Sequence, residues 1–256
     1  MTPGPPATDP GGQGHSAGES PPPWRDPEQI ARLDPLLEML ATSHVSLSSV
    51  TDPVEARRVH VADSLSGLAC AEVREATRAV DLGSGAGFPG LPLALELPEC
   101  RFTLIDSVGR KVEFMGRAIS ALGLENAEAL KVRSEAMATA GGRESFDLVT
   151  ARAVAPLPAL AELASPLLED GGHLVAWKGE PEPDSEEIIA ANRDRLAMEL
   201  RQRVAVVPFE GSRERHLYVL VKAGPTPDGL PRRPGMARKR PLGGDGSSAR
   251  SSSANK

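Results

Sequence analysis

The sequence is poor in aromatic residues, with five Phe, two Trp and one Tyr in 256 positions. So few rings exclude the stacking platform that an RNA-recognition sheet offers to bases. Cysteine is as scarce. Cys70 and Cys100 stand far apart, so they neither frame a disulfide fold nor space a zinc site, and no metal is expected. No run of about 18 apolar residues occurs, and no basic stretch followed by an apolar one opens the chain. Membrane span and signal peptide are therefore not expected, and two free thiols suit the reducing cytoplasm. An excess of positive charge is also missing: 29 basic against 35 acidic side chains leave −6, which argues against a protein that grips nucleic acid with its whole surface.

That charge is unevenly spread. From 224 to 256 seven basic residues stand against two acidic ones for +5, leaving −11 for residues 1–223. Residues 1–23 hold twelve Pro or Gly and no Lys or Arg, a composition with little to bury, read as disordered. Residues 24–76 read as a helical extension. Asp26-Pro27 provides a cap and a first-turn proline, and Ile30, Leu33, Leu36, Leu37 and Leu40 share one face. Asp34-Pro35 restarts or kinks that helix, and Asp52-Pro53 opens another that runs to about Leu68. Over 77–223, strands at 78–82, 101–106, 127–132, 146–151 and 172–177 alternate with helices near 90–97, 109–122, 134–139 and 157–168. Alternation of this kind means an α/β fold with a doubly wound, mostly parallel sheet. A helix over 183–201 and two strand-like runs, 204–209 and 215–222, follow; their short 210–214 link suits a hairpin that adds an antiparallel edge strand.

The first strand ends in Asp81-Leu82-Gly83-Ser84-Gly85-Ala86-Gly87-Phe88-Pro89-Gly90 and opens a helix. Glycines let backbone turn sharply and approach a ligand closely. From Gly85 the segment also satisfies G-x-G-x-x-G, so it fits a dinucleotide as well as S-adenosylmethionine. Asp81, beside the glycines, suits a cationic ligand better than a pyrophosphate, and the closing hairpin suits a methyltransferase better than a dehydrogenase. Asp106 ends the second strand, where an acid accepts hydrogen bonds from ribose hydroxyls or is simply exposed. Arg133-Ser134-Glu135 follows the third strand, where it flanks an adenine or caps a helix.

Together with Asp106-Ser107, Arg110-Lys111, Arg133-Ser134-Glu135 and Thr150-Ala151-Arg152-Ala153, this glycine loop resembles that of the small-subunit ribosomal RNA guanine-N7 methyltransferases, the RsmG family, once called glucose-inhibited division protein B. His60-Val61-Ala62-Asp63-Ser64, Trp177-Lys178-Gly179 and Arg215-His216-Leu217 extend the likeness from about Leu33 to Leu242; Ser46-Leu47-Ser48 departs from the family's usual Asn-Leu-Thr. The resemblance implies a class I S-adenosylmethionine-dependent methyltransferase with a seven-stranded sheet, acting on 16S ribosomal RNA or the small subunit as a monomer. It implies a cofactor site of Gly83, Phe88, Ser134, Glu135 and Arg152, joined by Asp81, Gly85 and Asp106 from the loop chemistry. His60, Asp63, Lys178 and Arg215 would face the RNA, with Arg152 and Lys178 as positioning residues at the reaction centre. Plain readings stand beside these: an ion-pair partner for Arg152, a buried histidine for His60 oriented by Asp63, and a solvated lysine for Lys178.

The acceptor chemistry agrees. Cytosine C5 needs a cysteine nucleophile, and neither Cys70 nor Cys100 lies at the strand ends. Exocyclic amines are usually served by Asn or Asp followed by Pro-Pro and an aromatic after the fourth strand, where this chain reads Ala151-Arg152-Ala153-Val154. Guanine N7 has a lone pair and no proton, so it needs no base. In the basic segment 224–242, Arg232, Arg233, Arg238, Lys239 and Arg240 are expected to bind RNA while cofactor binding is independent of them; 243–256 reads as a disordered tail.

Overall fold

Aspartate and proline punctuate the N-terminal extension as their chemistry requires. The Asp26 carboxylate accepts from the Glu28 amide at 2.9 Å and opens α1, Pro27–Ala31. A new helix, α2 (Asp34–Ala41), starts at Asp34-Pro35 and buries Leu36, Leu37 and Leu40. Asp52 caps α3 (Pro53–Ala56) through the Glu55 amide at 2.8 Å. The chain then stays helical but changes pitch: a wide π turn over Arg57–Ala62, α4 (Asp63–Leu65), and a tight 3-10 turn over Ser66–Ala69. Such a change of pitch alters which side chains face the sheet, and it falls on His60 and Asp63. A short α5, Ala71–Arg74, leads into the sheet.

The computed structural model describes residues 22, 26–43, 50 and 52–243. Of the segments read as disordered, only Pro22 and Gly243 are among these; the Ser46-Leu47-Ser48 departure also lies outside the described residues.

Seven strands, β1 (Arg78–Leu82), β2 (Arg101–Asp106), β3 (Ala127–Lys131), β4 (Phe146–Arg152), β5 (Leu168–Lys178), β6 (Met198–Ala205) and β7 (His216–Lys222), lie in the order β3-β2-β1-β4-β5-β7-β6. The first five are parallel, and β7 pairs antiparallel with both β5 and β6 to make the hairpin edge. Strand order reverses between β1 and β4, so a crevice opens at their carboxyl ends, the usual ligand position in an open α/β sheet. Around the sheet run α6 (Gly90–Glu96), α7 (Gly109–Leu122), α8 (Ser134–Thr139), α9 (Leu157–Ala164), α10 (Pro183–Ala191), α11 (Arg193–Leu196) and α12 (Met236–Lys239). One core joins Leu36, Val61, Leu65, Leu91, Phe114 and Trp177, and a second on the opposite face joins Val80, Val149, Leu160, Leu174, Ile189 and Tyr218.

The last third departs from the periodicity. The helix expected over 183–201 stops at Ala191 and ends for good at Ala197, which sits at φ 50. From there Met198 and Leu200 alternate with charged residues as a strand, so β6 begins six residues before the expected 204–209 run. Pro208 has no N–H to give a ladder, and the chain leaves the sheet ahead of it; Val206 still donates to the Arg215 carbonyl at 2.9 Å. The helix expected over 157–168 likewise ends at Ala164 because β5 already starts at Leu168.

Beyond β7 the chain is fastened back on the domain. The buried Lys222 ammonium donates to the Leu168 carbonyl and the Thr226 hydroxyl, both at 2.8 Å, and pairs with Glu144 at 3.2 Å. Hydrogen bonds from Thr226, with smaller help from Lys222, pull the Glu144 carboxyl down to about 2. Farther on, Arg232 grips the buried Glu162 carboxylate with two nitrogens at 2.5 and 2.6 Å, and the Leu242 amide reaches the same group at 3.2 Å.

The extension meets the sheet through a close approach. An added Cβ on Gly67 would lie 2.4 Å from the Trp177 ring, whose indole nitrogen is itself tied to the Asp63 carbonyl at 2.8 Å. Gly67→Ala is expected to cost about 1–3 kcal/mol by overpacking. Gly116→Ala, in α7 with nothing within 4 Å of the new atom, should gain about 0.5–1 kcal/mol. Urea denaturation of the two variants checks this; equal stabilities would contradict it.

Candidate functional site

The glycine loop is built around one buried carboxylate. Asp81 is fully buried; its Oδ2 accepts from the Ser84 hydroxyl at 2.5 Å and the Gly90 amide at 3.1 Å, and its Oδ1 accepts from the Thr150 hydroxyl at 2.9 Å. Burial pushes its pKa up to about 6 against the pull of those three donors. Gly90 must be glycine for this contact, because a Cβ there would stand 2.8 Å from Oδ2. Asp81 thus faces into the loop and holds it, where the sequence had suggested that its charge would face a cationic ligand. Gly83 and Gly85 take φ values of +63 and +61, conformations that an L side chain strains to adopt.

Beside the loop lies a cavity of about 330 Å³, lined at the sheet's carboxyl edge by Gly83, Asp106, Ser134, Glu135 and Ala153. Asp106 accepts from the Val108 amide at 2.9 Å and the Gly85 amide at 3.2 Å, so the second strand's acid braces the glycine loop. Lys111 sits 3.4 Å from that carboxylate and lines the same space. Glu135 is buried; one oxygen accepts from the Gly235 amide at 2.7 Å, the other from the Ser134 hydroxyl at 3.3 Å. Gly235 and Arg238 complete the lining. The segment that sequence reasoning reserved for RNA is therefore also a wall of this cavity, which no local pattern around Pro231-Arg232-Arg233-Pro234 announces. Lys111 was legible as the basic residue one turn after the strand-end acid.

A second cavity, about 420 Å³, opens at the ends of β4 and β5 and is lined by His60, Asp63, Arg152, Ala153, Trp177, Lys178 and Arg215 among others. Ala153 belongs to both cavities and sits at φ 57. Arg152 Nη1 donates to Asp63 Oδ2 at 2.9 Å, to the Val59 carbonyl at 3.1 Å and to the His60 carbonyl at 3.4 Å. Its guanidinium carbon lies 5.4 Å from the centre of the Phe88 ring, which stacks on His60 at 4.9 Å. Phe88 and Arg152 therefore stand with the second cavity's residues, outside the lining of the first. Burial first, then the neighbouring Arg152 charge, lowers His60 to about 4. Lys178 donates to the Ala155 carbonyl and pairs with Glu182, both at 2.9 Å. Arg215 Nε lies 3.4 Å from Asp63 Oδ1.

The five basic residues of the C-terminal segment divide. Arg232 is spent on Glu162. Arg233, Lys239 and Arg240 are exposed, and Arg238 lines the first cavity. Among the described residues no group of three or more His, Cys, Asp or Glu could hold a metal ion, and no helix is long and apolar enough to cross a membrane.

A seven-stranded sheet in this order, with a glycine loop after β1 and acids at the ends of β1 and β2, defines a class I S-adenosylmethionine-dependent methyltransferase. The solved NSun6 from Pyrococcus horikoshii shares that fold, at a TM-score of 0.50 and 14% identity over 70% of this chain and 57% of that one. The particular family follows from sequence: the profile for GidB, rRNA small subunit methyltransferase G, matches residues 29–218, and the chain belongs to that family. Ribosomal RNA small subunit methyltransferase G of Deinococcus radiodurans is 42% identical over 84% of this chain and 85% of its own; that of Rubrobacter xylanophilus is 40% identical over 86% of each.

The residues present fit the cofactor this class uses. A Cβ on Gly83 would stand 3.0 Å from Val154, which lines the same cavity, so glycine there keeps that space clear, and the Asp106 and Glu135 carboxylates match a ligand rich in hydroxyl and amino donors.

The half-buried histidine makes the site sensitive to acid. Folding depresses His60 from 6.5 to about 4, so the folded state binds fewer protons. Its contribution is fully present above pH 6.5 and is lost as pH falls toward 4. His60→Phe, which keeps the stack on Phe88, is expected to flatten that part of the stability profile, read as the urea midpoint between pH 7 and pH 4; an unchanged slope would contradict it.

Proposed function

We propose that this protein transfers a methyl group from S-adenosylmethionine to N7 of a guanine in the 16S RNA of the small ribosomal subunit. The observation that carries the reading is the meeting of two cavities at Ala153, one walled by the glycine loop and the other by cationic side chains. Gly83, Asp106, Ser134 and Glu135 would hold the cofactor, with Gly85 and Asp81 shaping the loop. Bound there, the cofactor supplies a methyl carbon activated by its sulfonium.

The chain's own task is alignment, which can contribute about 7–11 kcal/mol to such a transfer. Arg152, fixed by Asp63 and backed by Phe88, has a single defined orientation beside Ala153. Lys178 is similarly held through Ala155 and Glu182. Both are positive charges set at the edge of the acceptor space, where a guanine extruded from the RNA would enter. N7 presents a lone pair without a proton, so no residue need act as base. The two thiols supply no nucleophile: burial pushes Cys70 and Cys100 up to about 12, and neither lines either cavity. RNA would be met by His60, Asp63 and Arg215 around the acceptor space and by the exposed Arg233, Lys239 and Arg240, a local cationic footprint on an otherwise acidic body. The same reading has the protein act as a monomer, in the cytoplasm where the subunit is assembled.

Incubating the purified protein with methyl-labelled S-adenosylmethionine and either 16S RNA or small subunits, then mapping the label by nuclease digestion and mass spectrometry, tests this. One N7-methylguanosine at a unique position is expected. Label on protein or small molecules alone, or no transfer despite cofactor binding, would overturn it.

A further inference from the structure

The C-terminal segment reaches the cofactor cavity at its far end, and this gives one of its arginines a ligand. Three observations combine. The segment is anchored beside the cavity by Arg232 on the buried Glu162 and by the Glu162 contact to the Leu242 amide. Gly235 donates its amide to Glu135, at the β3 end of the cavity. One helical turn on, Arg238 lines the same cavity with an exposed side chain that makes no ion pair or hydrogen bond among the described residues.

Orientation follows from the proposed function, on which this inference rests. The reacting methyl must face Ala153, because that residue alone borders both the cofactor and the acceptor cavities among the residues lining them. The amino-acid and sulfonium portion then lies toward Gly83, the ribose near Asp106, and the base at the opposite end, toward Glu135 and Gly235. Val132 and Leu163 line the cavity as well, giving a purine apolar surface. An arginine with no other partner beside a flat aromatic ligand has a natural use, since a guanidinium stacks on a ring face without first losing another bond.

We propose that residues 230–242 are an integral wall of the cofactor site and that Arg238 stacks on the adenine of S-adenosylmethionine. The segment thereby links the two ligands: the turn that closes over the base also carries Arg233, Lys239 and Arg240 on its outer side. Cofactor binding would hold those charges in place before RNA arrives.

The test is calorimetric and needs no turnover. Binding of S-adenosylmethionine and of 5′-methylthioadenosine, which keeps the adenosine but lacks the amino-acid end, is measured for the wild-type protein, Arg238→Ala and Arg201→Ala, the last an exposed arginine of β6 outside both cavities. Arg238→Ala is expected to weaken both ligands by the same factor, about 5- to 10-fold, while Arg201→Ala leaves both unchanged. Loss confined to S-adenosylmethionine would put Arg238 at the amino-acid end and overturn the proposal, as would an Arg238→Ala protein that binds both normally. Wild-type protein that binds neither ligand would defeat the cofactor reading itself, and the proposal with it. Hydrogen exchange on the wild type gives a second readout: amides over 235–239 are expected to slow when S-adenosylmethionine is added, and unchanged exchange there would contradict a wall that closes on the base.

Discussion

Asp63 joins the helical extension to the methyltransferase sheet, and the cavity at the ends of β4 and β5 depends on that junction. Its carboxylate fixes Arg152 at the end of β4, and its backbone carbonyl accepts the Trp177 indole N–H from β5. Arg152 in turn donates to the Val59 and His60 carbonyls, which lie in the π turn where the ordinary helical ladder is disturbed. Pitch change and arginine therefore go together: the widened turn offers carbonyls, and the guanidinium satisfies them. Both side chains of the pair are mostly buried, the setting in which removing one partner costs far more than the pair contributes. A positive charge so held has one fixed direction at the end of β4.

At the glycine loop the corresponding constraint is Asp81. A carboxylate kept out of water by the protein has to be matched by donors, and Ser84, Thr150 and Gly90 supply them. Those three contacts bind the loop's start, the neighbouring strand and the first residue of α6 to one point, so the glycines between them turn without wandering. Asp106 repeats the device by accepting from Gly85. The loop is thus shaped by contacts made within the protein itself, and preorganisation of this kind lowers the ordering cost of binding a ligand.

Much of this was legible in the sequence because it is local. The Asp26, Asp34 and Asp52 starts with their prolines, the five parallel strands and the glycine loop all follow from short-range chemistry. The resemblance carried His60, Asp63, Arg152, Lys178 and Arg215 together, and the fold brings them to one cavity. What escaped depends on partners distant in the chain. Nothing near Arg232 reveals that Glu162 will bind it, and nothing near Gly235 points to Glu135, 100 residues away. The direction of Asp81 also escaped, since a strand-end acid looks the same in sequence whether it faces ligand or loop. The 183–201 stretch misled because Ala and Leu suit a helix well; only pairing with β7 turns Met198 to Ala205 into a strand.

The proposed methyl transfer requires one ligand cavity to open onto the other at Ala153. In a crystal structure of the protein with S-adenosylhomocysteine, the sulfur is expected beside Ala153, turned toward the space between Asp63 and Lys178, with the ribose at Asp106. A ligand seated elsewhere, or one whose sulfur points away from that space, would contradict it.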